Sequence, residues 1–124
     1  KKEKKMTYDK NNIFAKIIRG EAKAEKIYED EHVLCFKDIF PKAKIHVLIV
    51  PKKEYIDVYD FSKNASSIEK QNIFSAFKKV IKYFKIKESG CRIITNQGSN
   101  GRQEVPHLHF HLLGGEDLGS MINT

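Results

Sequence analysis

His107-Leu108-His109-Phe110-His111-Leu112-Leu113-Gly114-Gly115 holds three of the chain's five histidines, at every second position. Side chains on a β-strand alternate between two faces. His107, His109 and His111 therefore share one face, and Leu108, Phe110 and Leu112 share the other, where they can enter a core. The stretch reads as a half-buried strand whose solvent face is made of imidazoles. An ordinary solvated face carries Lys, Glu or Thr. Imidazole is the side chain that serves as nucleophile, proton donor, proton acceptor or metal ligand near neutral pH.

Three readings compete for this row: accidental spacing on an exposed strand, a metal site, and an extended catalytic row. Same-face neighbours on a strand are about 6.7 Å apart, so the outer rings start about 13 Å apart. Zinc–nitrogen bonds are only about 2 Å long, so a straight strand cannot bring all three rings to one ion. Two of them could share an ion with a ligand from elsewhere. The catalytic row, with a central attacking histidine flanked by two helpers, accounts best for all three.

Outward from the row, Glu104-Val105-Pro106 leads in from a polar loop, Asn96 to Gly101, whose glycines let the backbone approach a ligand. Before the loop, Ser89-Gly90 turns the chain into a strand over 91–95. Ser66 and Glu69 form a capping box, and Ile73, Phe77, Val80, Ile81 and Phe84 recur at helical spacing, which predicts a long helix to about Lys85. Residues 54–64 read as a loop with turns. Residues 45–50 are an apolar strand stopped by Pro51, with His46 as its one polar side chain. Residues 26–28 and 32–37 read as two strands joined by an acidic turn. Asp38 ends the second, beside Phe36, where a carboxylate suits either a ribose or an ordinary turn cap. Asn12 caps a short helix over 13–19, stopped by Gly20, with Ile13, Phe14, Ile17 and Ile18 on one face.

These elements predict an α+β domain: one antiparallel sheet of about five strands with one short and one long helix. The chain has 124 residues, 40% hydrophobic and 31% charged, enough for one domain. Residues 1–11 read as a flexible leader and 12–124 as the domain. No apolar run is long enough to span a bilayer, no secretory h-region is visible, and Cys35 and Cys91 lack metal-type spacing. This predicts a cytoplasmic protein with no membrane partner. The net charge is +7, of which the first five residues supply +3. No aromatic residue interleaves with those lysines, so a nucleic-acid partner is not expected.

The row followed by two apolar residues resembles the signature of the histidine-triad (HIT) family. Asn12 to Glu21, Tyr28-Glu29-Asp30, Phe36-Lys37-Asp38-Ile39, His46 to Lys53 and Asn96-Gln97-Gly98 match as well, and together resemble its HINT branch, the purine nucleoside phosphoramidate hydrolases. The resemblance covers about residues 12–119. It implies a HIT-like fold whose sheet continues across a homodimer, and no cofactor or metal. It implies a catalytic set of His109, His111, His107 and His46, with His109 attacking the α-phosphorus of an AMP or GMP derivative. The implied substrate-binding set is Asp38 on the ribose, Asn96 near the phosphate, Phe14 and Ile17 at the base, with Phe36, Ile39, Gly101 and Glu104. Many relatives carry Ser where Glu104 stands, which leaves leaving-group preference open. His111 argues for the HINT branch, since other branches have Gln there. The alternatives are a HIT hydrolase of dinucleoside polyphosphates or adenylated nucleic-acid ends, and a nucleotide-binding module whose turnover is incidental.

Overall fold

The computed structural model describes residues 7–122. In chain order the elements are α1 (Ile13–Ile18), β1 (Lys26–Glu29), β2 (Val33–Lys37), β3 (Ile45–Pro51), α2 (Val58–Asn64), α3 (Ser67–Tyr83), β4 (Cys91–Ile94) and β5 (Phe110–Gly114). The strands form one antiparallel sheet in the order β1-β2-β3-β5-β4. The expected α+β class and five-stranded sheet are both present.

Register places β5 between β3 and β4. Leu112 lies opposite Val47 and Ile93, and His111 lies opposite Leu48 and Ile94. The face carrying Val47, Ile93 and Leu112 packs under α3. Val33, Cys35, Val47, Ile49, Ile73, Ala76, Phe77, Val80, Leu108 and Leu112 make the main core there. The opposite face carries a smaller cluster of Phe14, Ile17, Leu34, Phe36, Leu48 and Val50, closed by α1. Burial of each such large apolar side chain contributes about 1.5–3 kcal/mol. The alternation of histidine with Leu108, Phe110 and Leu112 thus fastens the row to the sheet from behind.

Local signals explain the helices. The Asn12 side chain accepts from the Ala15 amide at 2.9 Å and starts α1, and Gly20, at φ 81°, ends its turn. Ser66 and Glu69 form the expected capping box at the start of α3. At its other end the Ile86 amide donates to Ile81 and the Lys85 amide to Lys82, a Schellman closure with Lys85 held at φ 57°.

Three features differ from the sequence reading. Residues 58–64, read as loop, form α2. Its Val, Tyr, Asp, Ser and Asn content has little helix propensity. The helix exists because Asp57 caps the Asp60 amide at 2.8 Å and Phe61 is buried edge-on against Tyr55, with ring centroids 5.0 Å apart. The row is only partly strand: β5 begins at Phe110, and His107 is 0% exposed rather than on a solvent face. Finally, Tyr8 of the expected leader is half-buried and hydrogen-bonds to His107, while residues 9–11 stay exposed; residues 1–6 lie outside the described residues. Among the described residues no helix is long and apolar enough to cross a membrane.

Candidate active site

The face of β3, β5 and β4 under α1 opens into a cavity of about 880 Å³. Phe14, Ile17, Ala24, Phe36 and Leu48 form an apolar wall. Asp38, Ile39, His46, Asn96, Arg102, Glu104, His109 and His111 are also among the lining residues. Two residues of the expected set do not reach it. His107 lies behind the cavity wall. Gly101 instead accepts the Asn96 side-chain amide on its carbonyl at 2.7 Å, and a Cβ there would fall 2.4 Å from the Gln97 carbonyl oxygen. Gly101 is therefore a support for Asn96, and its lack of a side chain permits the turn.

Backbone groups, whose donor or acceptor character is fixed, set the tautomers of His109, His46 and His107, and His46 in turn sets that of His111. The His109 Nδ1 lies 2.7 Å from the His107 carbonyl oxygen, which can only accept. His109 therefore carries its proton on Nδ1 and holds a lone pair on Nε2. The Lys42 amide donates to His46 Nδ1 at 3.0 Å, so His46 carries its proton on Nε2. That nitrogen lies 2.9 Å from His111 Nδ1, which must accept, leaving the His111 proton on Nε2. The His107 Nε2 donates to the Pro51 carbonyl at 2.8 Å, so its Nδ1 accepts from the Tyr8 hydroxyl at 2.6 Å. The rings of His109 and His111 sit 5.2 Å apart, and Phe14 meets His109 edge-on at 4.8 Å. Thr95 Oγ1 donates to the His109 carbonyl at 2.8 Å, and the Leu108 amide donates to Tyr55 at 2.7 Å.

Burial keeps all four rings neutral. It pushes His107 down to about 4 against the opposing pull of the Pro51 carbonyl. His111 is also pushed down to about 4, by burial and then by His109 and His46. His109 and His46 are lowered by burial too, with the His107 carbonyl and Asp38 respectively opposing it. A neutral imidazole with a free lone pair is a nucleophile, and a neutral imidazole with a free N–H is a donor. His109 and His111 supply one of each, side by side.

Asp38, His46 and His111 offer atoms that all lie within 4.8 Å of one another. A metal-ligating histidine donates its other N–H to an acceptor. The other nitrogen of His46 faces the Lys42 amide, a donor. A lone pair on His46 Nε2 would set two hydrogens against each other, so this trio suits hydrogen bonding rather than a cation.

Asp38 accepts from the Phe40 amide at 2.8 Å through one oxygen and lies 3.5 Å from His46 Nε2 through the other. Turn capping and the cavity lining are thus compatible uses of one carboxylate. Sequence reasoning missed Tyr8, Tyr55 and Thr95, and missed the carbonyls and amides that orient the rings. No side-chain pattern marks a backbone group, and Tyr8 lies outside the periodic elements.

The sequence matches the HIT domain over residues 19–118. It is 47% identical over 116 residues to an uncharacterized HIT-like protein of Azospirillum brasilense, covering 94% of this chain and 95% of that one. It is 41% identical over 110 residues to the purine nucleoside phosphoramidase of Escherichia coli (strain K12), covering 89% and 92%. A solved HIT family hydrolase from Clostridium thermocellum superposes with a TM-score of 0.82 at 44% identity, covering 91% of this chain and 97% of that one. With its histidine row on the sheet face that such a domain supplies, the chain belongs to the HIT domain family.

Proposed function

We propose that this HIT-family hydrolase cleaves purine nucleoside 5′-phosphoramidates through a nucleotidyl-histidine intermediate. The observation that carries the reading is the His109 Nδ1 contact to the His107 carbonyl at 2.7 Å, which leaves Nε2 as the free lone pair at the cavity. The apolar wall of Phe14, Ile17 and Phe36 suits a purine, and Asp38 suits the ribose hydroxyls. His109 Nε2 forms a bond to the α-phosphorus as the bond to the leaving nitrogen breaks. The leaving nitrogen takes up a proton from solvent and departs as the amine; water then breaks the P–N bond to His109, releasing the nucleoside monophosphate and returning one proton to solvent. The His111 Nε2–H and the Asn96 amide hydrogen-bond the phosphoryl oxygens or leaving atom. Phosphoryl transfer is chiefly positioning and charge stabilisation, which such groups supply without a cofactor. The 41%-identical phosphoramidase of Escherichia coli supports this substrate class.

Acid-quenched mass spectrometry with adenosine 5′-phosphoramidate tests the reading. An AMP adduct on His109 is expected, absent from His109→Ala, with turnover retained after dialysis against EDTA. An adduct on His107 or His111, or loss of activity restored by zinc, would overturn it.

We also propose a homodimer joined along β4. That strand is a sheet edge. On it Ile93 is 39% exposed; on α3 Phe74 is 72% exposed, and Phe74, Phe77 and Phe110 of the neighbouring β5 form a chain of edge-on rings running out from the core. Sedimentation at micromolar concentration should give twice the monomer mass; a monomer alone would reject it.

A further inference from the structure

Tyr8 lies 99 positions before His107, yet the two side chains meet at 2.6 Å with ring centroids 5.6 Å apart. His107 gives its only proton to the Pro51 carbonyl, so the Tyr8 hydroxyl must be the donor in this contact. Burial raises Tyr8 above the ordinary phenol range, which keeps that proton in place. The hydroxyl oxygen in turn accepts from the Asn12 side-chain amide at 2.9 Å. The orientation of that amide is itself fixed: its oxygen accepts from the Ala15 amide hydrogen at 2.9 Å, so its nitrogen faces Tyr8 and the Asp9 carbonyl. Every hydrogen in the series Asn12 to Tyr8 to His107 to Pro51 therefore has one permitted direction.

The His107 ring is wholly buried and touches no part of the cavity. Its carbonyl oxygen is the acceptor that holds the His109 proton on Nδ1. We propose that Tyr8 is a positioning residue for the nucleophile: by clamping the His107 ring from the side opposite Pro51, it fixes the carbonyl that orients His109. This rests on the reading of His109 as nucleophile given above. A ring held at one nitrogen can pivot about that bond, whereas a ring held at both cannot. The peptide following the ring's Cα then has one setting. Asn12 gives the clamp a second connection, since the same residue caps α1, whose Phe14 packs edge-on against His109. The N-terminal segment thus braces the attacking ring twice, once through a hydrogen-bond series and once through an aromatic contact.

Tyr8→Phe removes only the hydroxyl and keeps the ring contact. Asn12→Ser keeps a capping oxygen for α1 and removes the amide that holds Tyr8. With adenosine 5′-phosphoramidate, both variants should lose about 10- to 100-fold in kcat with KM little changed, the scale on which a small misplacement acts. Thermal melts show whether each variant is folded. Imidazole proton–nitrogen NMR of the substrate-free protein gives a readout independent of turnover. Wild type should show a slowly exchanging His109 Nδ1–H, and Tyr8→Phe should show it exchanging rapidly or shared between tautomers. An unchanged His109 signal in folded Tyr8→Phe overturns the proposal, as does a loss confined to KM. A wild-type protein that leaves the phosphoramidate intact, while the His109 signal still depends on Tyr8, instead overturns the substrate reading and keeps the clamp.

Discussion

His46 Nε2 lies 2.9 Å from His111 Nδ1, and the hydrogen between them belongs to His46. The assignment follows from the Lys42 amide on the far side of the His46 ring. His46 therefore dictates which nitrogen of His111 presents a hydrogen to the cavity, although the two residues come from different strands, β3 and β5. Asp38 adds a carboxylate 3.5 Å from the same His46 nitrogen.

His46→Ala is expected to slow phosphoramidate turnover by about 10²–10⁴-fold, the range for losing a group that assists proton positioning. The variant should still form adduct on His109, because the Nε2 lone pair of that ring is set by the His107 carbonyl. His46→Gln, which retains an amide donor, should recover part of the loss. Rapid-mixing mass spectrometry and steady-state rates check both; a variant with no adduct at all would make His46 part of the attack itself.

Asp38→Ala is expected to weaken AMP binding by about 1–3 kcal/mol, the scale of hydrogen bonds to charged groups. The same substitution should matter far less for 2′,3′-dideoxy-AMP. Calorimetric titration of both ligands separates a ribose contact from the turn-capping bond to Phe40. Equal losses would leave Asp38 only its structural use.

Acid should unfold the protein through its histidines. His107 and His111 are held down to about 4 in the folded chain. Unfolded histidine titrates near 6.5. Between those values the unfolded chain binds more protons than the folded one, so stability falls as pH drops from about 6.5 toward 4. For the wholly buried His107 the full loss is on the order of 3 kcal/mol. Urea denaturation at pH 7, 5.5 and 4.5 should show the midpoint falling, and the fall should shrink in His107→Gln if the variant folds. A flat profile would mean that the ring takes up its proton as readily in the folded chain as in the unfolded one.

Much of the architecture is visible in the sequence because it rests on side-chain periodicity. Leu108, Phe110 and Leu112 announce their face, the helical spacing of Ile73, Phe77 and Val80 announces α3, and Ser66 with Glu69 marks its start. Helix α2 is not visible, since one buried ring, Phe61, and one cap, Asp57, outweigh a sequence of poor helix formers. The set of histidines is visible, but the placement of protons among them is not. It depends on the Lys42 amide and on the carbonyls of His107 and Pro51, groups that every residue possesses. The position of Tyr8 is a product of the folded chain alone.

Lys85 offers a test of backbone strain remote from the site. It stands at φ 57°, where the Schellman closure of α3 favours glycine. The left-handed conformation costs a side-chain-bearing residue about 1–2 kcal/mol, partly offset in the variant by the greater freedom of unfolded glycine. Lys85→Gly should therefore raise stability by up to about 1 kcal/mol in chemical denaturation, with catalysis unaltered. A destabilised variant would show that the lysine side chain contributes more than its backbone costs.

The two faces of the sheet are closed by very different amounts of structure: α3 has 17 residues and α1 has 6. Cooperative unfolding units differ in free energy according to how much they bury. The α1 layer, with its small cluster, is thus expected to open and reclose many times before the α3 layer parts once. Amide exchange should report this as fast deuterium uptake over residues 13–18 and slow uptake over β3. Because α1 forms a wall of the cavity, a bound nucleotide would silence this motion, and its contact free energy would have to cover the conformational entropy so lost. The protein then behaves as a rigid anvil carrying the histidines, faced by a lighter jaw that breathes.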